Sequence, residues 1–269
     1  MGPDDAQLLA FERNGWLVFA PDPSLLHWGV HARPAARAAV ADPAHARWLD
    51  CDGTWFVGVD VLPNDPRGRV AGSPPLAGAA VRFIERCYGA LPPLHPAQVS
   101  VTYPGYPRPR RGESEPAARY RQVRDAAHVD GLRAIGEPRR RYLCEPHGFI
   151  LGLPLSRAAP KASPLVVWEG SHHIMRAAFT GVFADQTPEA CADIDVTDIY
   201  VAARKRVFER CRRVALPVQP GEAVLLHRMA LHGVAPWDDG ARADPEGRMI
   251  AYFRPEMPGG IAQWLGAQP

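Results

Sequence analysis

Two regimes of hydrophobic patterning divide the chain. Up to about residue 95 the apolar residues mostly recur at helical spacing, and beyond it they gather in short runs between Pro, Gly and charged residues. In the first regime, acidic residues open a helix from Asp4 to about Asn14, with Leu8, Leu9 and Phe11 as its apolar stripe. Gly15 ends this helix, and Trp16 to Phe19 reads as a short strand. A second helix follows Pro23 and runs through Leu25 to Val40. TWFVGVDVLP (Thr54 to Pro63) predicts a strand, and Leu76 to Leu91 an amphipathic helix.

The second regime predicts strands at Gln98 to Tyr103, Gly148 to Leu155, Pro164 to Gly170, Arg213 to Gln219, Glu222 to His227 and Arg248 to Pro255. Many short strands with turn signals between them predict a barrel or sandwich. Helices first and strands later make the fold α+β, with helices bracing one side of the sheet. A single domain is expected over residues 1–269, with 1–95 a mainly helical support and 96–255 the strand core. Two stretches interrupt that core. Pro104 to Arg124, rich in Pro, Gly and charge, reads as a mobile loop, and long loops beside a barrel mouth often form active-site lids. Residues 187–212 carry a helix from about Asp195, ending in RKRVFERCRR, which reads as a solvated helix face.

Composition narrows the classes. With 46% hydrophobic and 22% charged residues the chain is an ordinary globular sequence rather than a disordered one. No apolar run approaches the roughly 18 residues of a membrane span, and the acidic, amphipathic start lacks the features of a secretory signal. The cytoplasm is the expected compartment. A net charge of +2 gives no electrostatic footprint for nucleic acid or membrane. The five cysteines are scattered without a CxxC pair, which suits reduced thiols rather than a zinc knuckle or disulfide framework.

Chemistry enters at AAHVDGL, which sets His128 and Asp130 two positions apart. If Val129 is extended, both side chains leave the same face of a strand and can meet on one divalent cation. GEAVLLHRMALHGVAPW offers a third ligand at His227 or His232, and the small residues after His232 favour it by allowing close backbone approach. On one continuous strand these two histidines, five positions apart, would face opposite ways, so one of them is structural. Two histidines and a carboxylate on one face of an iron ion leave positions open for dioxygen and a chelating cosubstrate. A cosubstrate with a distal carboxylate needs a fixed cation, and Arg248 opens the next predicted strand.

In this order the motifs resemble those of the phytanoyl-CoA dioxygenase family of Fe(II)/2-oxoglutarate oxygenases. LLAFERNGWLVF (Leu8 to Phe19) is similar to the family's opening helix and strand, HVDG (His128 to Gly131) to its proximal metal motif, and VVWEGSHH (Val166 to His173) to its mid-core turn. Gly221 to Trp237 resembles the strand carrying the distal histidine, with Arg248 on the strand after it. The resemblance implies a double-stranded β-helix, a cupin-like jelly roll, braced by the N-terminal helices. It implies Fe(II) held by His128, Asp130 and His232, with 2-oxoglutarate and O2 consumed in hydroxylating a small molecule and succinate and CO2 released. Asp130 favours hydroxylation over the related halogenation, which dispenses with the acidic ligand.

Two positions depart from the family. Val234 stands where a hydroxyl often helps bind the cosubstrate, so Thr102 or Tyr103 is the candidate replacement beside Arg248, and Ala127 replaces a usual tryptophan. For the substrate, Tyr106, Trp168 and Ser171 are the candidates, and arginines in the 104–124 loop favour an anionic group. A metal-dependent hydrolase on a cupin-like barrel, or a non-catalytic metal- or ligand-binding protein of the same fold, remains open beside the oxygenase.

Overall fold

Hydrophobic alternation places the strand residues on two facing sheets, and a computed structural model describes them for residues 3–184 and 186–266. Residues 1, 2, 185 and 267–269 of the expected single domain lie outside the described residues. In chain order the elements are α1 (Pro3–Asn14), β1 (Trp16–Phe19), α2 (Pro23–Ala41), β2 (Leu49–Asp50), β3 (Trp55–Leu62) and α3 (Ala79–Tyr88). Then come β4 (Ala97–Thr102), α4 (Glu115–Val123), β5 (Leu132–Ile135), β6 (Arg140–Leu143), β7 (Phe149–Pro154), β8 (Leu165–Trp168) and α5 (Ser171–Phe183). The chain continues through α6 (Thr197–Arg210), β9 (Arg213–Leu216), β10 (Ala223–His227), β11 (His232–Val234), β12 (Arg248–Phe253) and α7 (Gly260–Leu265). Among the described residues, no helix is long and apolar enough to cross a membrane.

The larger sheet runs β1-β10-β7-β12-β4-β3-β2 and the smaller β11-β8-β9, and the pairings within each are antiparallel. Next to β11 the chain segment at His128 adds a single bridge to His232, which gives the smaller sheet a fourth member. From β4 onward the chain therefore deals its strands between the two sheets and closes a double-stranded β-helix. Period-two alternation then makes three layers of core. Ile150, Val224, Leu226 and Ile250 of the large sheet meet Leu165, Val167 and Leu216 of the small one inside the barrel. The opposite face of the large sheet, with Val99, Val101, Leu151 and Phe253, packs under Trp28, Ala32 and Ile84 of α2 and α3. The outer face of the small sheet, with Val166 and Trp168, packs under Met175, Phe179, Tyr200 and Val207 of α5 and α6.

Three local outcomes differ from the sequence pattern. In α1, Phe11 is fully buried and Leu8 packs on the core, but Leu9 is 52% exposed, because a residue one step from Leu8 points about 100° away round the helix. The strands expected at 16–19 and within 54–63 do form, and they join the large sheet, β1 pairing β10 and β3 pairing β4. The expected mobile loop at 104–124 contains α4. Its anchors are specific: Tyr120 Oη donates to Ala127 O at 2.8 Å, and the nearly buried Arg121 guanidinium pairs with Glu113. The β5–β6 hairpin has no apolar alternation to announce it, since Arg133, Arg140 and Arg141 occupy strand positions.

Candidate metal centre

Extended backbone at Val129 is the local condition for the centre. Val129 turns inward to the helix-side core at 2% exposure, so His128 and Asp130 project together from the other face. His128 and His232 form a doubly hydrogen-bonded antiparallel pair, His128 N donating to His232 O at 2.8 Å and His232 N to His128 O at 3.0 Å. Their rings lie 4.6 Å apart between centroids. Asp130 Oδ1 stands 3.1 Å from His128 Nε2 and 3.7 Å from His232 Nε2. One ligand atom from each of the three side chains lies within 4.8 Å of the others.

The hydrogen bonds of the two rings decide what those atoms offer. His128 Nδ1 is 2.9 Å from Ala126 O, and His232 Nδ1 is 2.9 Å from Ala230 O. A carbonyl accepts only, so each Nδ1 carries the proton and each neutral ring turns its Nε2 lone pair toward Asp130. Two lone pairs and a carboxylate converging without a donor between them call for a cation, and this donor set fits a divalent one. The charges agree. Burial favours a neutral Asp130, but the His128 hydrogen bond and the positive Arg254 outweigh it and hold the carboxyl well below its usual range. Burial lowers His232 to about 4, so its lone pair is free. Burial also lowers His128, but its bond to Asp130 prevails and raises it, so in metal-free protein a proton there can stand in for the cation.

Two glycines let the backbones close on the centre. Gly131 has φ +85°, and a Cβ there would lie 2.1 Å from Glu145 O. At Gly233, between His232 and Val234, a Cβ would lie 2.1 Å from Asp125 O, the carbonyl that accepts from Val234 N at 2.9 Å. Asp125 is itself held by a bidentate pair with Arg213, 2.7 Å on each arm, so that carbonyl has little room to retreat. Gly233→Ala is therefore expected to destabilise the fold by roughly 1–3 kcal/mol and to weaken metal binding. Urea unfolding and a metal titration measure the two effects, and unchanged values in both would remove the role of close approach.

The inward face of β12 carries Arg248, Ile250, Tyr252 and, one step past the strand, Arg254. Arg254 Nη1 lies 3.4 Å from Asp130 Oδ2, which places the end of β12 beside the three converging side chains. Arg248 is at the other end, 5% exposed, and its Nη1 and Nη2 meet no hydrogen-bond partner. Thr102 pairs with Arg248 in the sheet register, and its buried Oγ1 is likewise unpartnered. Burial raises the Tyr252 hydroxyl, and the Arg248 guanidinium facing it offsets part of that rise. Beside the three converging side chains lies a cavity of ≈ 110 Å³, whose walls include Gln98, Ser100, Ile150, Leu165, Val234 and Tyr252, the last of which faces Arg248. Buried polar atoms are rarely left without partners, so two such groups side by side mark a place for an acceptor ligand.

Other sequence candidates fall elsewhere. Tyr103 follows β4 on its opposite face, packs on the helix-side core and takes no part in the cavity, because one residue of register reverses the side chain. Trp168 lies on the outer face of β8, 5.3 Å from the Phe208 ring, and Ser171 Oγ accepts from Leu231 N at 2.8 Å. Both belong to the framework. Tyr106 is buried behind the cavity wall, its ring 5.5 Å from that of Trp55, with no partner for its hydroxyl. His227 is not continuous with β11: a turn at 228–231 carries the chain from the large sheet to the small one, and His227 Nδ1 accepts from Met229 N at 3.0 Å. His147 is buried with Nε2 3.2 Å from Glu145. Sequence reasoning missed Arg254 and Tyr252. Arg254 and Tyr252 were recoverable, since they share the parity of Arg248 along one strand.

His172, in the resemblance's mid-core turn, lies in the first turn of α5 with its ring tilted against that of His227 at 4.6 Å, while its Nε2 meets Glu12 O at 2.8 Å. Burial lowers it from 6.5 to about 4. The unfolded chain therefore binds the extra proton between those values, and stability falls as pH drops from 6.5 toward 4. The loss expected from this residue at pH 5 is about 2 kcal/mol. His227, lowered in the same direction by burial, adds to it. Urea unfolding at pH 7 and pH 5 tests this, with a smaller difference expected in His172→Gln.

No family model and no curated protein matches the chain. Solved structures do. The non-heme alpha ketoglutarate dependent carbocyclase SnoK from nogalamycin biosynthesis is 11% identical with a TM-score of 0.46, over 100% of this chain and 93% of that one. EctD from S. alaskensis with bound Fe is 17% identical with a TM-score of 0.46, over 94% and 76%. The epimerase SnoN, in complex with Fe3+, alpha ketoglutarate and nogalamycin RO, is 14% identical with a TM-score of 0.49, over 97% and 88%.

Proposed function

We propose that the chain is an Fe(II)/2-oxoglutarate-dependent oxygenase that hydroxylates a small molecule and releases succinate and CO2. One observation carries the reading: the inner face of the barrel holds a three-acceptor centre at one end and an unpartnered guanidinium at the other. His128, Asp130 and His232 would hold the iron. Arg248, with Thr102 beside it, would hold the distal carboxylate of 2-oxoglutarate, whose oxygens supply the acceptors that both groups lack. A hydrolytic metal site has no use for a buried, unsatisfied arginine on that face. Iron with bound 2-oxoglutarate and O2 supplies the oxidising power.

The chain's own residues set the conditions for that chemistry. The backbone carbonyls of Ala126 and Ala230 keep both imidazoles in the ligating tautomer. Ile150, Leu165 and Val234 keep much of the cavity wall apolar, and the burial of Arg248, 5% exposed, would strengthen its grip on a carboxylate. Val234 supplies no hydroxyl, and Thr102 from the opposite sheet takes over that function.

Anaerobic addition of Fe(II) and 2-oxoglutarate to metal-free protein tests the reading. A visible metal-to-ligand charge-transfer band is expected, and its absence from well-folded protein would sink the assignment. Hydroxylation in particular requires an oxygen atom from isotopically labelled O2 in the product.

A further inference from the structure

On the solvent side of the metal centre lies a second cavity, of ≈ 340 Å³, that shares Trp55, His128, Asp130 and Arg254 with the inner one. Five arginines line it: Arg110, Arg121, Arg133, Arg141 and Arg254. They come from three separate parts of the chain, so no single run in the sequence reveals them.

Their partners decide which charge is available. Arg110 pairs with Asp50 at 2.5 Å, and Arg121 pairs with Glu113. Among the described residues, neither Arg133 nor Arg141 has an ion-pair partner within the lining; the remaining carboxylate there, Glu145, lies 3.2 Å from His147 and is near enough to Arg254 and Arg133 for their charges to help hold it low. Arg141 lies over the Tyr200 ring at 5.3 Å, a contact that orients a guanidinium while leaving its N–H edge free. The Arg254 carboxylate partner is Asp130, whose charge a bound divalent cation would take up. Buried polar atoms point the same way: the Nε atoms of Arg121, 7% exposed, and of Arg254 have no hydrogen-bond partner.

We propose that this outer chamber binds the substrate through an oxyanion group, a carboxylate or a phosphate, gripped by Arg133 and Arg141 at the rim and Arg254 beside the metal. The inference rests on the oxygenase reading for the word substrate, and on the arginines alone for the anion. A cleft lined by one sign of charge concentrates the oppositely charged ligand and orients it. Planar guanidiniums suit the paired oxygens of either group. With its anion held at the rim, the rest of the substrate extends to the His128 and Asp130 side of the centre, while 2-oxoglutarate occupies the inner cavity toward Arg248.

Because Arg254 stays with Asp130 until a cation is bound, the rim pair is tested by itself: metal-free full-length protein is titrated with pyrophosphate in one arm and citrate in the other, followed by tryptophan fluorescence, since Trp55 lines both cavities. Saturable binding is expected in at least one arm, weakening as salt rises. Removing the rim charges in Arg133→Gln/Arg141→Gln is expected to weaken it about tenfold or more. Pyrophosphate alone binding assigns a phosphate, and citrate alone a carboxylate. Arg133 is exposed, so Arg133→Gln alone keeps the test readable if the double variant folds poorly. Absence of saturable binding in both arms, or binding that the variants leave unchanged, overturns the proposal. Failure of the oxygenase reading shows separately, as a missing charge-transfer band in the wild type.

Discussion

Asp130→Ala abolishes the charge-transfer band that Fe(II) and 2-oxoglutarate are expected to give with the wild-type protein. The carboxylate is the only anion among the three converging ligands, and it is already ionised, held well below the usual range against the pull of burial. Its loss does more than subtract one bond. Arg254, 3.4 Å from Asp130 Oδ2, would remain beside the two imidazoles as an uncompensated positive charge, and attraction for a cation would turn to repulsion. Outer partners of metal ligands typically carry roughly 10–100-fold in affinity, so the loss of this ligand is expected to exceed ~100-fold. A metal titration of both proteins, with circular dichroism to confirm folding, measures it. A variant that keeps the band would remove Asp130 from the centre.

Arg248→Met is expected to separate binding from stability. If Arg248 holds the distal carboxylate of 2-oxoglutarate, removing a buried charge-assisted partner costs roughly 2–5 kcal/mol of binding, a dissociation constant higher by about 30-fold or more. Without 2-oxoglutarate the sign reverses. The guanidinium is 5% exposed and its terminal nitrogens have no partner, so the free protein bears a desolvated charge that methionine would relieve. Replacing buried ionic groups by apolar ones of similar volume can stabilise by 1–4 kcal/mol, and a rise of about that order is expected here. Thermal melting with and without 2-oxoglutarate reads both. A melting temperature that falls in the free variant would make Arg248 a framework residue instead.

Most strands were legible as short apolar runs between turn residues, and alternation such as that of Gln98 to Tyr103 records which side chains face the helices and which the barrel interior, since both faces of the sheet are buried. The metal pair was legible from spacing: one residue, Val129, separates His128 from Asp130, and it is buried on the side away from them. The arginine of β12 was legible from its position, yet Tyr252 and Arg254 were overlooked although they share its parity. Tyr103, Trp168 and Ser171 look like site residues in a linear reading because they adjoin residues that matter. In each case the side chain is claimed by the framework, which only packing reveals.

Local periodicity, acting over a few residues, thus determined the strands, their inward faces, and the HVD pair with an arginine to follow. The small residues after His232 already favoured it over His227, but only tertiary structure brings its side chain to His128 and Asp130. The turn at 228–231 moves the chain from one sheet to the other, and parity along a continuous strand no longer applies. It also gathered arginines from the α4 segment, the β5–β6 hairpin and the end of β12 around one chamber. Charge at a site is a sum over space, and residues that are distant along the chain contribute to it only after the barrel has closed.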